Sequence, residues 1–314
     1  MNGPVFPTTM AERSSRALPY LALLGAQLAI GSAAALARIG LAHGTGPFPL
    51  AAWRMSIAAL VALLACGSVR RCLAPLSYRT RTVLVAAGAC LGLHFAFWFM
   101  SLQHVSVARS TLFVTTSPLW AGLAEVFLLR RRPPWTFWAG IAVALMGAPL
   151  VASANVSRAA VPNPMLGDVQ AVLGAVCIAA YYLLTKPAQS EIGTGRVVAW
   201  TYTSAAATMW PFALYVAGTE ALLPANAAAW GAVIGLAAVP QLIGHTTINW
   251  TLKHFAAGVV GAATLLEPVV ASAQAWWLFG EPVTGVQVLG GVILLAGVGL
   301  ALMPSRTIGT ASVA

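Results

Sequence analysis

The side chains that could act on a small molecule all lie inside long apolar runs. Glu267 stands beside Pro268 in such a run. An ionisable group in hydrocarbon is expensive and faces a cavity or a partner. It can attract an ammonium group, titrate a coupling proton, or pair with a basic or hydroxyl side chain. His94 and His245 occupy two further runs. Imidazole donates, accepts or carries a proton near neutral pH, so a shared site and a packing hydrogen bond are both open. Trp98 and Tyr182 lie deep in their segments, and Asn249 is a milder polar group, as are Gln27, Ser32 and Gln274. Aromatic faces stack on planar ligands and hold cations; for Trp98 and Tyr182, cavity lining and packing weigh equally. Arg54 is close enough to a segment end to snorkel outward. Pro118 and Pro268 sit within helical runs, where proline removes a backbone hydrogen bond and kinks the helix. The hydroxyls of Thr115, Thr116 and Ser117 can take up the carbonyls freed at the first of these kinks.

Other chemistries lack their residues. Metal-type histidine pairs, phosphate loops and a nucleophile elbow are missing, so neither catalytic residues nor a cofactor or metal are expected. Cys66, Cys72, Cys90 and Cys177 have neither zinc spacing nor a disulfide framework. They are expected to pack as small apolar groups. Glu125, near Arg130, Arg131 and Arg132, reads as a structural ion pair, and Lys186 as interfacial.

The elements that must position these groups follow from composition. The chain is 59% hydrophobic and 8% charged, with mean hydropathy +0.83, whereas a soluble domain carries about 25% charged residues. Apolar runs near 18–39, 48–66, 82–101, 106–129, 135–153, 167–186, 197–217, 228–250, 257–279 and 285–303 are each about long enough to cross hydrocarbon as a helix. Period-2 alternation is absent, which argues against a barrel. The first run follows a polar stretch and has no cleavage signature, so it reads as a helix and not as a signal peptide. With the N-terminus cytoplasmic, thirteen Lys and Arg fall inside, among them Arg13, Arg70, Arg130, Arg196 and Lys253. Three fall outside: Arg38, Arg109 and Arg158. The net charge of +10 is therefore a positive-inside topology signal, and no nucleic-acid partner is expected.

The chain also repeats itself. Leu102, His104, Pro118, Leu128, Gly140 and Gly147 are matched 150 positions later by Leu252, His254, Pro268, Leu278, Gly290 and Gly297. A tandem repeat of hydrophobic segments marks a secondary transporter with its site between the halves. Five helices per half is an odd number, so the copies must face opposite ways across the membrane. The expected architecture is all-α: ten transmembrane helices as two inverted five-helix repeats around a central cavity. The divisions are a cytoplasmic tail at 1–17, repeats at 18–153 and 167–303, a linker at 154–166 and a cytoplasmic tail at 304–314. Gly140, Gly147, Gly290 and Gly297 allow close helix approach, which makes helices five and ten a rigid scaffold. Gly88 and Gly92 form a further small-residue pair in helix three.

The stretches Leu102 to Pro118 and Leu252 to Pro268, the paired glycines, and Leu50-Ala51-Ala52-Trp53-Arg54 resemble the drug/metabolite transporter superfamily in its ten-helix, EamA-type form. The aromatic content is similar to that of the bacterial exporters of aromatic and hydrophobic amino acids (the YddG type). The first copy departs from the family, with Arg130-Arg131 where the second has Gly280-Glu281. The resemblance implies a bacterial inner-membrane carrier that works by alternating access, with a central cavity lined by helices one, three, four, six, eight and nine. It gives Arg54 a gating or ion-pairing role. The expected partners are a small amphiphilic substrate, an amino acid first, and membrane lipid; monomer and homodimer are both open. A proton-coupled multidrug exporter is the alternative.

Overall fold

Helix starts are written locally. Ser77 Oγ accepts from the Thr80 amide (3.1 Å), Asn163 Oδ1 from Leu166 (3.2 Å) and Asn226 Oδ1 from Ala229 (2.9 Å). Each bond satisfies an amide that a helix start leaves unpaired. Thr284 and Gln287 form a reciprocal capping box. The computed structural model describes residues 10–66, 72, 75–105, 107–152, 163–218, 222–280 and 283–303. The C-terminal tail, Glu281, and most of the expected N-terminal tail and linker lie outside the described residues.

Among the described residues the chain is helical throughout. Its helices are α1 (Met10–Ala42), α2 (Pro47–Ala65), α3 (Tyr78–Ser101), α4 (Val107–Val114), α5 (Ser117–Phe127), α6 (Trp135–Ala152), α7 (Pro164–Ile192) and α8 (Thr194–Ala217). Then follow α9 (Ala227–Leu236), a π-helical segment (Ala237–His245), α10 (Thr246–Thr251), α11 (Ala257–Thr264), α12 (Glu267–Phe279) and α13 (Gly285–Ala301). Each expected apolar segment coincides with one helix or with a run of shorter pieces. Six described spans are long and apolar enough to cross a membrane. Four starts lie three or more residues earlier than expected: α1 at Met10, α3 at Tyr78, α7 at Pro164 and α8 at Thr194. α1 begins at Met10 because its polar first turns are good helix formers, and α7 begins at Pro164 because Asn163 caps it.

The exterior is apolar, and polar side chains are drawn into an otherwise hydrophobic interior. Leu21, Leu28, Leu60, Leu64, Val288 and Val292 are exposed, whereas Gln27, Arg54, His94, Gln241 and Asn249 are buried. A lipid solvent demands this arrangement, since it can neither hydrate charge nor satisfy backbone groups. Packing crosses between the halves. α1 lies on α9 and the π segment, while α7, the first helix of the second repeat, lies on α3. α2 and α8 pack together, as do α5 and α11.

Glycines set the closest crossing. A Cβ added at Gly290 would stand 2.8 Å from the Gly147 carbonyl oxygen, and one at Gly297 would stand 2.7 Å from that of Gly140. α6 and α13 therefore touch backbone to backbone, as the small-residue pattern predicts. Gly88 and Gly92 do the same service where α3 meets α8. A Cβ at Gly92 would be 2.7 Å from Thr208 Cβ.

Three expectations are corrected. Cys66 and Cys72 are bonded to each other, with Cα atoms 5.6 Å apart, so only Cys90 and Cys177 are free among the described residues. Cys72 is drawn back beside the end of α2, where its carbonyl oxygen accepts from Trp200 Nε1 (3.2 Å). That placement brings the two Cα atoms within disulfide range. Glu125, expected to pair with the arginines, instead accepts from the Gly258 amide (3.2 Å) at the start of α11, where the helix dipole favours a carboxylate. Lys186 is more than interfacial. Its Nζ donates to the carbonyls of Leu252 (2.7 Å) and Phe255, clamping the turn between α10 and α11.

Gly297→Ala will cost about 1–3 kcal/mol of stability through overpacking, read as a lower thermal midpoint in detergent. Gly299→Ala, with nothing within 4 Å of the added Cβ, will leave that midpoint unchanged. Lys186→Met strands two carbonyls and will cost about 1–3 kcal/mol, with faster hydrogen exchange confined to residues 252–258.

Candidate functional site

Two helix breaks border one cavity. α4 ends at Val114 and α5 starts at Ser117 with Pro118 in its first turn; α11 ends at Thr264 and α12 starts at Glu267 with Pro268 in its first turn. The kinks expected at the prolines are short turns with i→i−3 hydrogen bonds, such as Thr116 N to Phe113 O and Leu266 N to Ala263 O, that divide each span in two, because proline offers no amide and crowds the preceding turn. Hydroxyls take up the loosened carbonyls. Thr115 Oγ1 donates to Leu112 O (3.0 Å), Thr116 Oγ1 to Phe113 O (2.6 Å) and Thr264 Oγ1 to Gly261 O (2.7 Å). Non-helical backbone persists at membrane depth only when it is satisfied in this way or lines a cavity, and here both hold.

Both halves supply the lining: Arg54, His94, Phe95, Trp98, Thr115 and Ser117 from the first; Tyr182, His245, Thr264 and Glu267 from the second. Phe95 and His245, and Ser117 and Glu267, are pairs 150 positions apart. The repeat therefore brings matched positions to the same space with different chemistry on them.

His94 Nδ1 lies 2.9 Å from the Gly174 carbonyl. A carbonyl only accepts, so Nδ1 carries the proton and Nε2 is left as an acceptor. His245 is 5% exposed and its Nδ1 has no hydrogen-bond partner; its ring stands edge-on to Phe95 at 6.0 Å. Trp98 tilts against Phe99 (4.8 Å) and Tyr182 against Tyr181 (5.7 Å), and both rings reach the cavity. Glu267 is half-buried in its wall, near enough to Arg54 for the two charges to interact.

Arg54 does not snorkel. It is 2% exposed, its Nε donates to Gln241 Oε1 (3.0 Å) and its Cζ lies 4.5 Å over the Phe95 ring. An internal acceptor and an aromatic face hold it inward, where the sequence left the segment end open to it. Asn249 is brought elsewhere. It is fully buried, its Nδ2 donating to Tyr181 Oη (2.6 Å) and His245 O (2.8 Å) while its Oδ1 accepts from Gln189 (3.0 Å). It joins α10 to α7 behind the cavity wall and so steadies His245.

Sequence reasoning missed Gln241 and the π-helical turn that carries it. The signal was present in Pro240, since an internal proline loosens the helix, and π-type turns recur at functional sites. The assembled groups are one buried cation, one carboxylate, two imidazoles and a wall of aromatic rings. Such a set can hold an amphiphile by both its charged and its apolar parts. Among the described residues, no three His, Cys, Asp or Glu side chains are grouped to hold a metal ion.

Residues 17–153 and again 165–303 match the EamA-like transporter family. A probable terminal-alkyne amino-acid exporter of Streptantibioticus cattleyicolor is 26% identical over 274 residues, covering 87% of this chain and 88% of that protein. An uncharacterized transporter of Archaeoglobus fulgidus is 23% identical over 65% of this chain and 70% of its own length. The uncharacterized transporter YdfC of Bacillus subtilis is 24% identical, covering 66% and 67%. A solved crystal structure, 21% identical, superposes with a TM-score of 0.75 over 90% of this chain and 96% of that one, a likeness of fold alone. An apolar exterior, membrane-length helices and a family match over both halves place the chain as an integral membrane protein that belongs to the EamA-like transporter family of the drug/metabolite transporter superfamily.

Proposed function

We propose that the protein is an alternating-access secondary transporter that exports small amphiphilic metabolites, aromatic or hydrophobic amino acids first, across the bacterial inner membrane. Ten spans form two inverted halves (18–153 and 167–303, joined by 154–166), with both termini cytoplasmic. The observation that carries this reading is the cavity, built from repeat-matched positions of both halves and combining Arg54 and Glu267 with Phe95, Trp98 and Tyr182. A site shared by two pseudo-symmetric halves can be opened to either side by rocking one half against the other. His94, Trp98, Tyr182, His245 and Glu267 contact the substrate, Asn249 supports them, and the breaks at Pro118 and Pro268 flex with access. The name of the Streptantibioticus relative and the positive-inside charge bias support the amino-acid cargo and the orientation.

A second reading rests on Glu267 in particular. A carboxyl group facing a membrane cavity is also what a proton-coupled multidrug exporter uses. Counterflow of labelled phenylalanine in proteoliposomes separates the two. Saturable counterflow that persists without a pH gradient is expected. Absence of counterflow for every amino acid tried, with gradient-driven movement of amphiphilic drugs lost in Glu267→Gln, would establish the second reading instead. Trp98→Ala is expected to raise KM for phenylalanine about five- to tenfold with protein yield unchanged.

A further inference from the structure

A buried guanidinium with a free nitrogen is an unfinished interaction. Arg54 Nη2 is buried and has no hydrogen-bond partner, although its Nε is held by Gln241 and its plane lies over Phe95. Because Nε donates, the Gln241 oxygen must face Arg54, which leaves the Gln241 amide nitrogen free; it too is buried without a partner. His245, one turn further along the π segment, adds a third unpartnered buried atom in Nδ1. Arg54 and His245 both line the cavity. A buried charge left without its complement is costly, and unpaired polar atoms on residues that line a cavity mark a site for a ligand that would pair them.

These donors match one chemical group. Guanidinium recognises a carboxylate through its planar fork, and the Phe95 ring and Gln241 fix that fork from below and behind. Glu267 lines the same cavity from the break between α11 and α12. Its charge offsets that of Arg54 without occupying Nη2. A ligand bearing only an anion would meet this carboxylate unfavourably, and one bearing only a cation would meet the guanidinium. A ligand bearing both satisfies each. We propose that Arg54, with His245 beside it, anchors the α-carboxylate of an amino-acid substrate, and that Glu267 takes its ammonium group, leaving the side chain against Trp98 and Tyr182. This rests on the amino-acid reading above and adds the two ends of the head-group site. It makes Arg54 a substrate-contacting residue, where the family resemblance implied a gate or an ion pair.

The test uses the full-length protein in proteoliposomes, with labelled phenylalanine as cargo and three competitors: phenylalanine, phenethylamine without the carboxylate, and 3-phenylpropionate without the ammonium group. For the wild type, phenylalanine is expected to inhibit about tenfold or more better than either truncated analogue. In Arg54→Gln the advantage over phenethylamine is expected to collapse to about twofold or less. In Glu267→Gln the advantage over 3-phenylpropionate should collapse likewise. If phenethylamine matches phenylalanine on the wild type, the inference is overturned without any variant. It is also overturned if Arg54→Gln keeps the full preference for the carboxylate. Should Arg54→Gln fail to fold, Arg54→Lys keeps the charge but loses the fork, and should reduce that preference part-way; an unchanged preference again counts against the proposal. No amino-acid counterflow in the wild type would instead sink the parent reading, and this one with it.

Discussion

Proline at Pro118 and Pro268 withholds an amide from the turn before it, and the site is arranged around the two breaks that result. At Pro118 and Pro268 the missing amides divide two spans into pairs of short helices. The carbonyls next to the breaks are taken by the hydroxyls of Thr115, Thr116 and Thr264. Once the breaks are satisfied, they leave helix starts rather than a continuous helix side facing the centre. Ser117 and Glu267 occupy those starts, which is why the pair most different in chemistry lies at the most symmetric place in the chain.

The scaffold that tolerates these breaks is built by the opposite device. α6 and α13 meet through Gly140, Gly147, Gly290 and Gly297, with backbone in contact with backbone. Small residues substitute close packing for the hydrophobic effect, which has no force between helices already in lipid. Charge secures the turns between the short helices: Glu125 holds the start of α11, and Lys186 holds the turn before it. Rigid crossings and clamped turns flank the two helix breaks, which lie at the cavity wall.

The cavity wall is largely apolar and aromatic, and the few polar groups set in it are incompletely paired. Arg54 is held at its Nε and over its face while its Nη2 is buried without a partner, and His245 Nδ1 is likewise buried and unpaired. A fold selected only for stability would pair these atoms or replace them by apolar groups. Asn249 shows the contrast: both its Nδ2 protons and its Oδ1 are bonded to Tyr181, His245 and Gln189, so its amide is committed to the scaffold.

Much of this was legible in residue order. Ten apolar segments, the constant spacing between copies and the paired prolines and glycines follow from hydrophobic length and covalent restriction, which act locally. His94, Trp98, Tyr182, His245 and Glu267 were readable as site candidates because polar or aromatic groups inside lipid-length runs must be explained. What the order of residues could not disclose were facts of neighbourhood. Arg54 turns inward because Gln241 and Phe95 await it from other helices; Asn249 is spent on Tyr181 and Gln189; Cys66 meets Cys72; and the π-helical turn, which Pro240 signals locally, places Gln241 against Arg54, a contact no local signal gives. Sequence by itself determined the apolar helical segments, the repeat and the places where helices break, since these depend on each residue's own backbone and transfer energy. Tertiary structure alone decided which polar atoms are paired and which are left free, because a hydrogen bond needs a partner that only folding brings within reach.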